Sequence, residues 1–207
     1  KDLLTNALDS TVTGCQIDGL IFNSGTIEGC TFGDSASVEK NEGTIEVTMT
    51  VNGADATFKY GENILSALET TFGEGEWYAV VDGTQTDILD TDTFGLQKQT
   101  YACAHYVGTD DEGKKVLYIT TPTAVTDDML AGISTVNVTA TGEITGGTLN
   151  GDASMETVTV DVRGVISGGT FSSKMVVHNR SEIAGGTFNG TVWNYATIRG
   201  GIFKGYI

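Results

Sequence analysis

Val177-His178-Asn179-Arg180-Ser181-Glu182-Ile183-Ala184-Gly185-Gly186-Thr187-Phe188 is followed almost at once by Val192-Trp193-Asn194-Tyr195-Ala196-Thr197-Ile198-Arg199-Gly200-Gly201-Ile202-Phe203. The two lines are one phrase written twice: Val-x-Asn-x-small-x-Ile, then x-Gly-Gly-Thr-Phe. Working outward, the Ile-x-Gly-x-Thr-Phe half is read at Ile17–Phe22, Ile27–Phe32, Ile144–Leu149 and Ile166–Phe171 as well. The Asn half recurs at Asn23–Ile27 and Asn41–Ile45. Short alternating strands broken by glycine corners, repeated at a near-fixed period, predict coils that bury their apolar faces only by stacking on one another. The spacing is 17 residues from Phe171 to Phe188 and 15 from Phe188 to Phe203, which suits a narrow β-solenoid. Val192, Ile198 and Phe203 are expected to point inward, each such side chain contributing roughly 1.5–3 kcal/mol on burial. The repeated Asn is expected to form a ladder from coil to coil. Met155–Val162 alternates strongly and predicts a longer strand.

The pattern fails once. After Asn41-Glu42-Gly43-Thr44-Ile45 the chain runs into Glu46-Val47-Thr48-Met49-Thr50-Val51, and the phrase returns only at Gly142-Glu143-Ile144-Thr145-Gly146-Gly147. An insertion between coils explains this, because a segment whose ends lie close together costs little at a corner. Within it, Val47–Val51 and Ala56–Tyr60 flank Asn52-Gly53 as a hairpin signal. Ile64, Leu65, Leu68 and Phe72 share a helical face, with Asn63 as cap and Gly73 as stop. Strands are predicted at Trp77–Val81, Gln99–Val107 and Lys115–Thr120. The expected fold is therefore mainly β: a parallel β-helix or β-solenoid interrupted by a small α+β, β-grasp-like insertion domain. Residues 1–45 would be N-terminal coils, 46–124 the insertion, and 125–207 C-terminal coils continuing the same stack.

Phe58-Lys59-Tyr60-Gly61-Glu62, Gly75-Glu76-Trp77-Tyr78, Asp82-Gly83-Thr84 and Thr100-Tyr101-Ala102 carry a resemblance. Together with Thr48–Val51 and Asn52-Gly53 they resemble the Listeria–Bacteroides repeat of the internalin B-repeat type, over about sixty residues. The family's Gly-Trp-Tyr is opened here by Glu76, and Ala104 stands where a final Trp is usual. The resemblance implies a β-grasp module in surface proteins of Gram-positive or gut bacteria. The Gly-Gly-Thr-Phe coils likewise resemble repeat arrays of cell-wall-attached proteins. Both imply an extracellular, cell-wall or cell-surface location and an adhesive or scaffolding role. Neither family supplies a functional residue.

Composition narrows the partners. The chain carries 27 acidic and 11 basic side chains, a net charge of −16, which disfavours nucleic acid and anionic membrane surfaces. No stretch approaches the roughly 20 apolar residues of a membrane span. Cys15, Cys30 and Cys103 form neither a C-x-x-C nor an even set, so no zinc signature or regular disulfide framework is read. Cys15 and Cys30 lie one coil apart; a pair and two separate thiols both remain open.

Candidate chemistry is sparse. Asp90 with Asp92, Asp110-Asp111-Glu112, and Asp127-Asp128 are each too few oxygens for calcium and read as loop charge. Asp161 and Arg163 share a strand face, where an exposed ion pair accounts for them. The best binding candidates come from aligning coils on the Asn. His178 and Trp193 then precede it, Arg180 and Tyr195 follow it, and all four point outward. Aromatic rings beside an Arg suit a sugar ring or a protein partner; covering the end of the stack is the competing structural role. The resulting expectation is a non-catalytic surface protein, a structural stalk or adhesion scaffold displaying the inserted module, with no cofactor or metal. A host or bacterial surface glycan or protein, and further repeats of the same polypeptide, are the expected partners. The alternative is a carbohydrate-binding or carbohydrate-active parallel β-helix, lyase-like or glycosidase-like.

Overall fold

A computed structural model describes residues 2–151, 154–155 and 157–207. The chain is mainly β, with a β-solenoid built from the repeats. It divides into two compact units, Lys1–Thr71 with Trp77–Ala102, and Phe72–Glu76 with Cys103–Ile207.

In the first unit, parallel pairing stacks three coils. Asp2–Asn6, Gly19–Asn23 and Ser37–Asn41 form one side. Thr11–Thr13, Thr26–Glu28 and the start of Thr44–Val51 form the second, and Gln16–Ile17 with Thr31–Phe32 the third. Ile17, Ile21, Ile27, Cys30 and Ile45 are buried between them. The expected Asn ladder is present. Asn23 Nδ2 donates to Asn41 Oδ1 at 2.8 Å, and Asn6, which the repeat alignment does not include, donates to Asn23 Oδ1 at 2.8 Å.

Register corrects one copy of the phrase. Ile17 pairs with Phe32, not with Ile27, and Val12 is the partner of Ile27. The first coil therefore reads Val12-Thr13-Gly14-Cys15-Gln16-Ile17, and the apparent copy at Ile17–Phe22 straddles two coils. Val and Ile fill the inward Ile and Phe columns there because each asks only for a β-former of suitable size, while exposed Gln16 stands in the outward Thr column. Phe22 consequently stands outside, 38% exposed.

Thr44–Val51 continues beyond the third coil, alternating buried Ile45, Val47, Met49 and Val51 with less buried threonines and Glu46. It turns at Asn52 and Gly53, both at positive φ (48° and 82°), into antiparallel Ala54–Lys59. Asn63 Oδ1 accepts from Ser66 N at 2.9 Å and caps helix Ile64–Thr71 as expected, with Ile64, Ala67 and Leu68 buried. Phe94, from the segment before Thr100, is 1% exposed and stacks on Phe58 with ring centroids 4.4 Å apart. Thr100 and Tyr101 run parallel to Thr50 and Val51.

In the second unit, Lys115–Ile119, Ile133–Val138, Val158–Val162, Met175–Asn179 and Thr191–Asn194 form one parallel side. Pro122–Val125, Glu143–Leu149, Val165–Ile166, Glu182–Ile183 and Thr197–Ile198 form another. Thr148–Leu149, Thr170–Phe171, Thr187–Phe188 and Ile202–Phe203 close the third. The strand expected over Met155–Val162 spans Val158–Val162; Glu156 lies outside the described residues. Inside, Phe171, Phe188 and Phe203 stack with centroids 4.7 and 4.9 Å apart, above fully buried Leu149.

The paired glycines have separate causes. A Cβ on Gly185 would lie 2.3 Å from the carbonyl oxygen of Ser167 in the preceding coil, so the first position needs the space. Gly186 sits at φ +103°, a conformation that side chains strain to adopt, so the second needs the freedom.

Candidate functional site

The outward surface of the second unit's last coils is set by register. Asp161, His178 and Trp193 are successive partners in adjacent parallel strands and therefore form one column. The inward neighbours Asn179 and Asn194 anchor the corner that follows. Asn179 Nδ2 donates to Asn194 Oδ1 at 2.7 Å and to the Thr197 carbonyl at 2.9 Å, while its own Oδ1 accepts from Ser181 N. With the corner held, Arg163, Arg180 and Tyr195 fall into a second column; Arg180 N and Tyr195 N donate to the carbonyls of Val162 and Asn179.

The four residues predicted to share a face do so. The Arg180 guanidinium carbon stands 5.4 Å from the Tyr195 ring centroid, and the His178 and Tyr195 rings are 6.3 Å apart. Trp193 is 53% and Tyr195 61% exposed. A cation over an exposed ring is worth about 0.5–1 kcal/mol, enough to bias a rotamer but not to hold a fold.

Asp161 organises this cluster more than its sequence position suggests. Its Oδ1 accepts from Arg180 Nε at 2.9 Å and its Oδ2 lies 3.6 Å from Arg163 Nε. The carboxylate, with its side chain 21% exposed, thus bridges two guanidiniums from consecutive coils. Exposed pairs of this kind contribute about 0–1 kcal/mol, so the consequence is positional: Arg180 stands between Asp161 of the preceding coil and the Tyr195 ring of the following one. Glu182 is similarly engaged by Arg199 Nε at 3.1 Å. The arrangement presents two flat aromatic faces, an imidazole and guanidiniums. That is a stacking and hydrogen-bonding surface.

The acidic loop clusters have local partners. Asp110 Oδ1 accepts from the backbone N–H of Glu112 and Lys114, and Asp92 Oδ2 from that of Leu89. Asp127 clamps a neighbouring coil, accepting from Asn150 N and Nδ2 at 2.9 and 2.7 Å. Among the described residues no group of three or more His, Cys, Asp or Glu is placed to hold a metal.

One feature lay beyond sequence reasoning. A cleft of about 310 Å³ in the second unit is lined by Glu74, Glu76, His105, Lys115, Asp128 and Met129, among others. His105 Nδ1 is buried there without a hydrogen-bond partner. No spacing motif links these positions, which come from separate elements. No protein-family model, curated protein or solved structure matches the chain, so the outward face is read on its own geometry.

Proposed function

We propose that the chain is a non-catalytic, extracellular scaffold of a bacterial surface protein, and that its C-terminal coils offer an adhesive contact face. The observation carrying this reading is the exposed pair Trp193 and Tyr195, set beside His178 and Arg180 on a stacked, rigid support. Large exposed aromatics next to a guanidinium favour contact with a partner, and the register of parallel strands pre-organises them at little entropic cost. The carboxylates of this face are bound to arginines, which suits presentation better than acid–base chemistry.

The module interrupting the repeats belongs to the same proposal as a β-grasp-like insertion starting at residue 46; it ends short of the expected 124, because Lys115–Ile119 and Pro122–Val125 pair in parallel with the C-terminal coils. Its support is topological: a hairpin on Thr44–Val51, one helix, a further hairpin of Glu74–Val81 with Thr84–Asp87, and a last strand returning parallel to the first.

Adhesion of the purified chain to bacterial and epithelial cell surfaces tests the reading. The double variant Trp193→Ala/Tyr195→Ala is expected to lose adhesion with an unchanged melting temperature. Release of reducing ends or unsaturated products from a polysaccharide panel would replace the scaffold with a carbohydrate-active enzyme.

A further inference from the structure

Charge is unevenly distributed along the chain, and the exception coincides with the aromatic face. Residues 157–207 contain Arg163, Lys174, Arg180, Arg199 and Lys204 but only two acids, Asp161 and Glu182. This segment is net +3 within a chain of net −16, which leaves −19 on the remainder. Both acids already face arginines, at 2.9 and 3.1 Å. The coils bearing Trp193 and Tyr195 are thus net cationic within a strongly acidic protein.

The cations are also spaced. Arg163 and Arg180 occupy equivalent corners of consecutive coils, separated by the roughly 4.8 Å between neighbouring strands. Both direct Nε at Asp161, and a guanidinium has four further N–H donors on its Nη atoms, the pair-forming geometry that a carboxylate accepts. The strand separation is close to the advance of one ring in an extended pyranose chain. Trp193 stands in the adjoining column, 53% exposed, an aromatic surface of the kind that stacks on a sugar.

From these relations the geometry points to an acidic polysaccharide, of the uronic acid class, as the occupant of this face. The sugar chain lies along the stacking direction, with a ring against Trp193 and Tyr195 and carboxylates on Arg180 and Arg163. A duplex nucleic acid fits less well: its phosphates are much more densely spaced than uronate carboxylates and require a larger positive field than this face offers. This inference rests on the proposed contact role of the same face and names its ligand class.

The test titrates the full chain with oligosaccharides of alginate, polygalacturonate and hyaluronan, each paired with its methyl ester. At least one acid form is expected to bind, with its ester at least about tenfold weaker. Raising salt from about 0.15 M to about 1 M, which shortens the screening length from about 8 Å to about 3 Å, should weaken binding. Arg180→Gln and Trp193→Ala should each cost about tenfold or more, with unchanged melting temperatures as the check on folding. Binding of none of the acids overturns the inference, as do equal binding of an ester and undiminished binding by Trp193→Ala. Poly-glutamate is the control for ion exchange; binding as tight as that of the uronates also overturns it. Cell adhesion that still depends on Trp193 after any of these failures would leave the contact surface standing and remove only the glycan class.

Discussion

Asn6 donates its side-chain amide to Oδ1 of Asn23, one coil on, at 2.8 Å, and the same Nδ2 reaches the Thr26 carbonyl at 3.0 Å. Asn23 repeats the arrangement with Asn41 and the Thr44 carbonyl. Asn6 and Asn23 are 4% and 1% exposed, polar residues in an otherwise apolar interior. Each ties the end of one side of its coil to the beginning of the next side in the following coil. The ladder therefore fixes register, where apolar columns alone would tolerate a slip.

Asn23→Ala should destabilise the first unit by about 2–4 kcal/mol. It removes three donated bonds, the acceptor for Asn6, and the acceptor for Gly25 N. A net hydrogen bond is worth about 1 kcal/mol, and a buried group left unpaired costs about 1–3 kcal/mol. Asn194→Ala, at an exposed position, should cost less than half as much. Urea denaturation monitored by circular dichroism checks the ratio, and equal losses would contradict the ladder's role.

Phe188→Ala should cost about 3–5 kcal/mol, because the ring is 1% exposed and stacked on both sides by Phe171 and Phe203. Ile202→Thr, which restores the threonine of Thr148, Thr170 and Thr187, alters a 59% exposed side chain and should stay within about 0.5 kcal/mol. Thermal melts of the two variants separate interior from exterior columns directly.

The coils were legible because one phrase forces one geometry: a corner Asn, an inward Ile, a glycine pair and an inward Phe. Asn6 was hidden because six positions separate it from Val12, against four between Asn23 and Ile27, so the first coil breaks the spacing. Phe94 was hidden for a different reason. It lies in a segment without periodicity, and only tertiary packing on Phe58 and Tyr101 buries it. The face of His178, Arg180, Trp193 and Tyr195 could be assembled from alignment alone, since equivalent positions in stacked parallel strands become neighbours. Its pivot could not. Asp161 was read beside Arg163, whereas its shorter contact is to Arg180 in the next coil, and that choice depends on side-chain reach rather than on sequence distance.

Cysteine labelling should distinguish the three thiols. Cys15 is exposed, whereas Cys30 is buried with its Sγ accepting from Cys15 N at 3.4 Å. Cys103 is fully buried and its thiol is pushed up to about 11, chiefly by that burial. At about pH 8, near the ordinary thiol value of about 8.5, iodoacetamide should modify Cys15 alone in the native chain and all three in urea. Mass spectrometry of the native sample showing Cys103 labelled at a comparable rate would contradict its burial.

The buried Tyr101 and the half-buried Tyr106 lower stability at alkaline pH. Burial raises Tyr101 in the first unit and Tyr106 in the second from 10.0 to about 12. Tyr101 also donates its hydroxyl to Gln99 Oε1, and Tyr106 stacks on Tyr118 with centroids 4.8 Å apart. Below about pH 10 both tyrosines are protonated whether the chain is folded or not, so neither makes stability depend on pH. Between about 10 and 12 the unfolded chain ionises while the folded one resists, the unfolded state holds fewer protons, and stability falls as pH rises. Each tyrosine contributes a slope approaching about 1.4 kcal/mol per pH unit in that window. Cys103, raised from 9.0 to about 11, acts with the same sign from about pH 9, so the melting temperature should decline gently from there and more steeply above about 10, and Tyr106→Phe should flatten the steeper part for the second unit. Tyrosinate absorbance of Tyr101→Phe and Tyr106→Phe chains, subtracted from that of the native chain, should show each of these hydroxyls titrating late. Ionisation of either near 10 with the fold intact would show that its ring is reached by solvent.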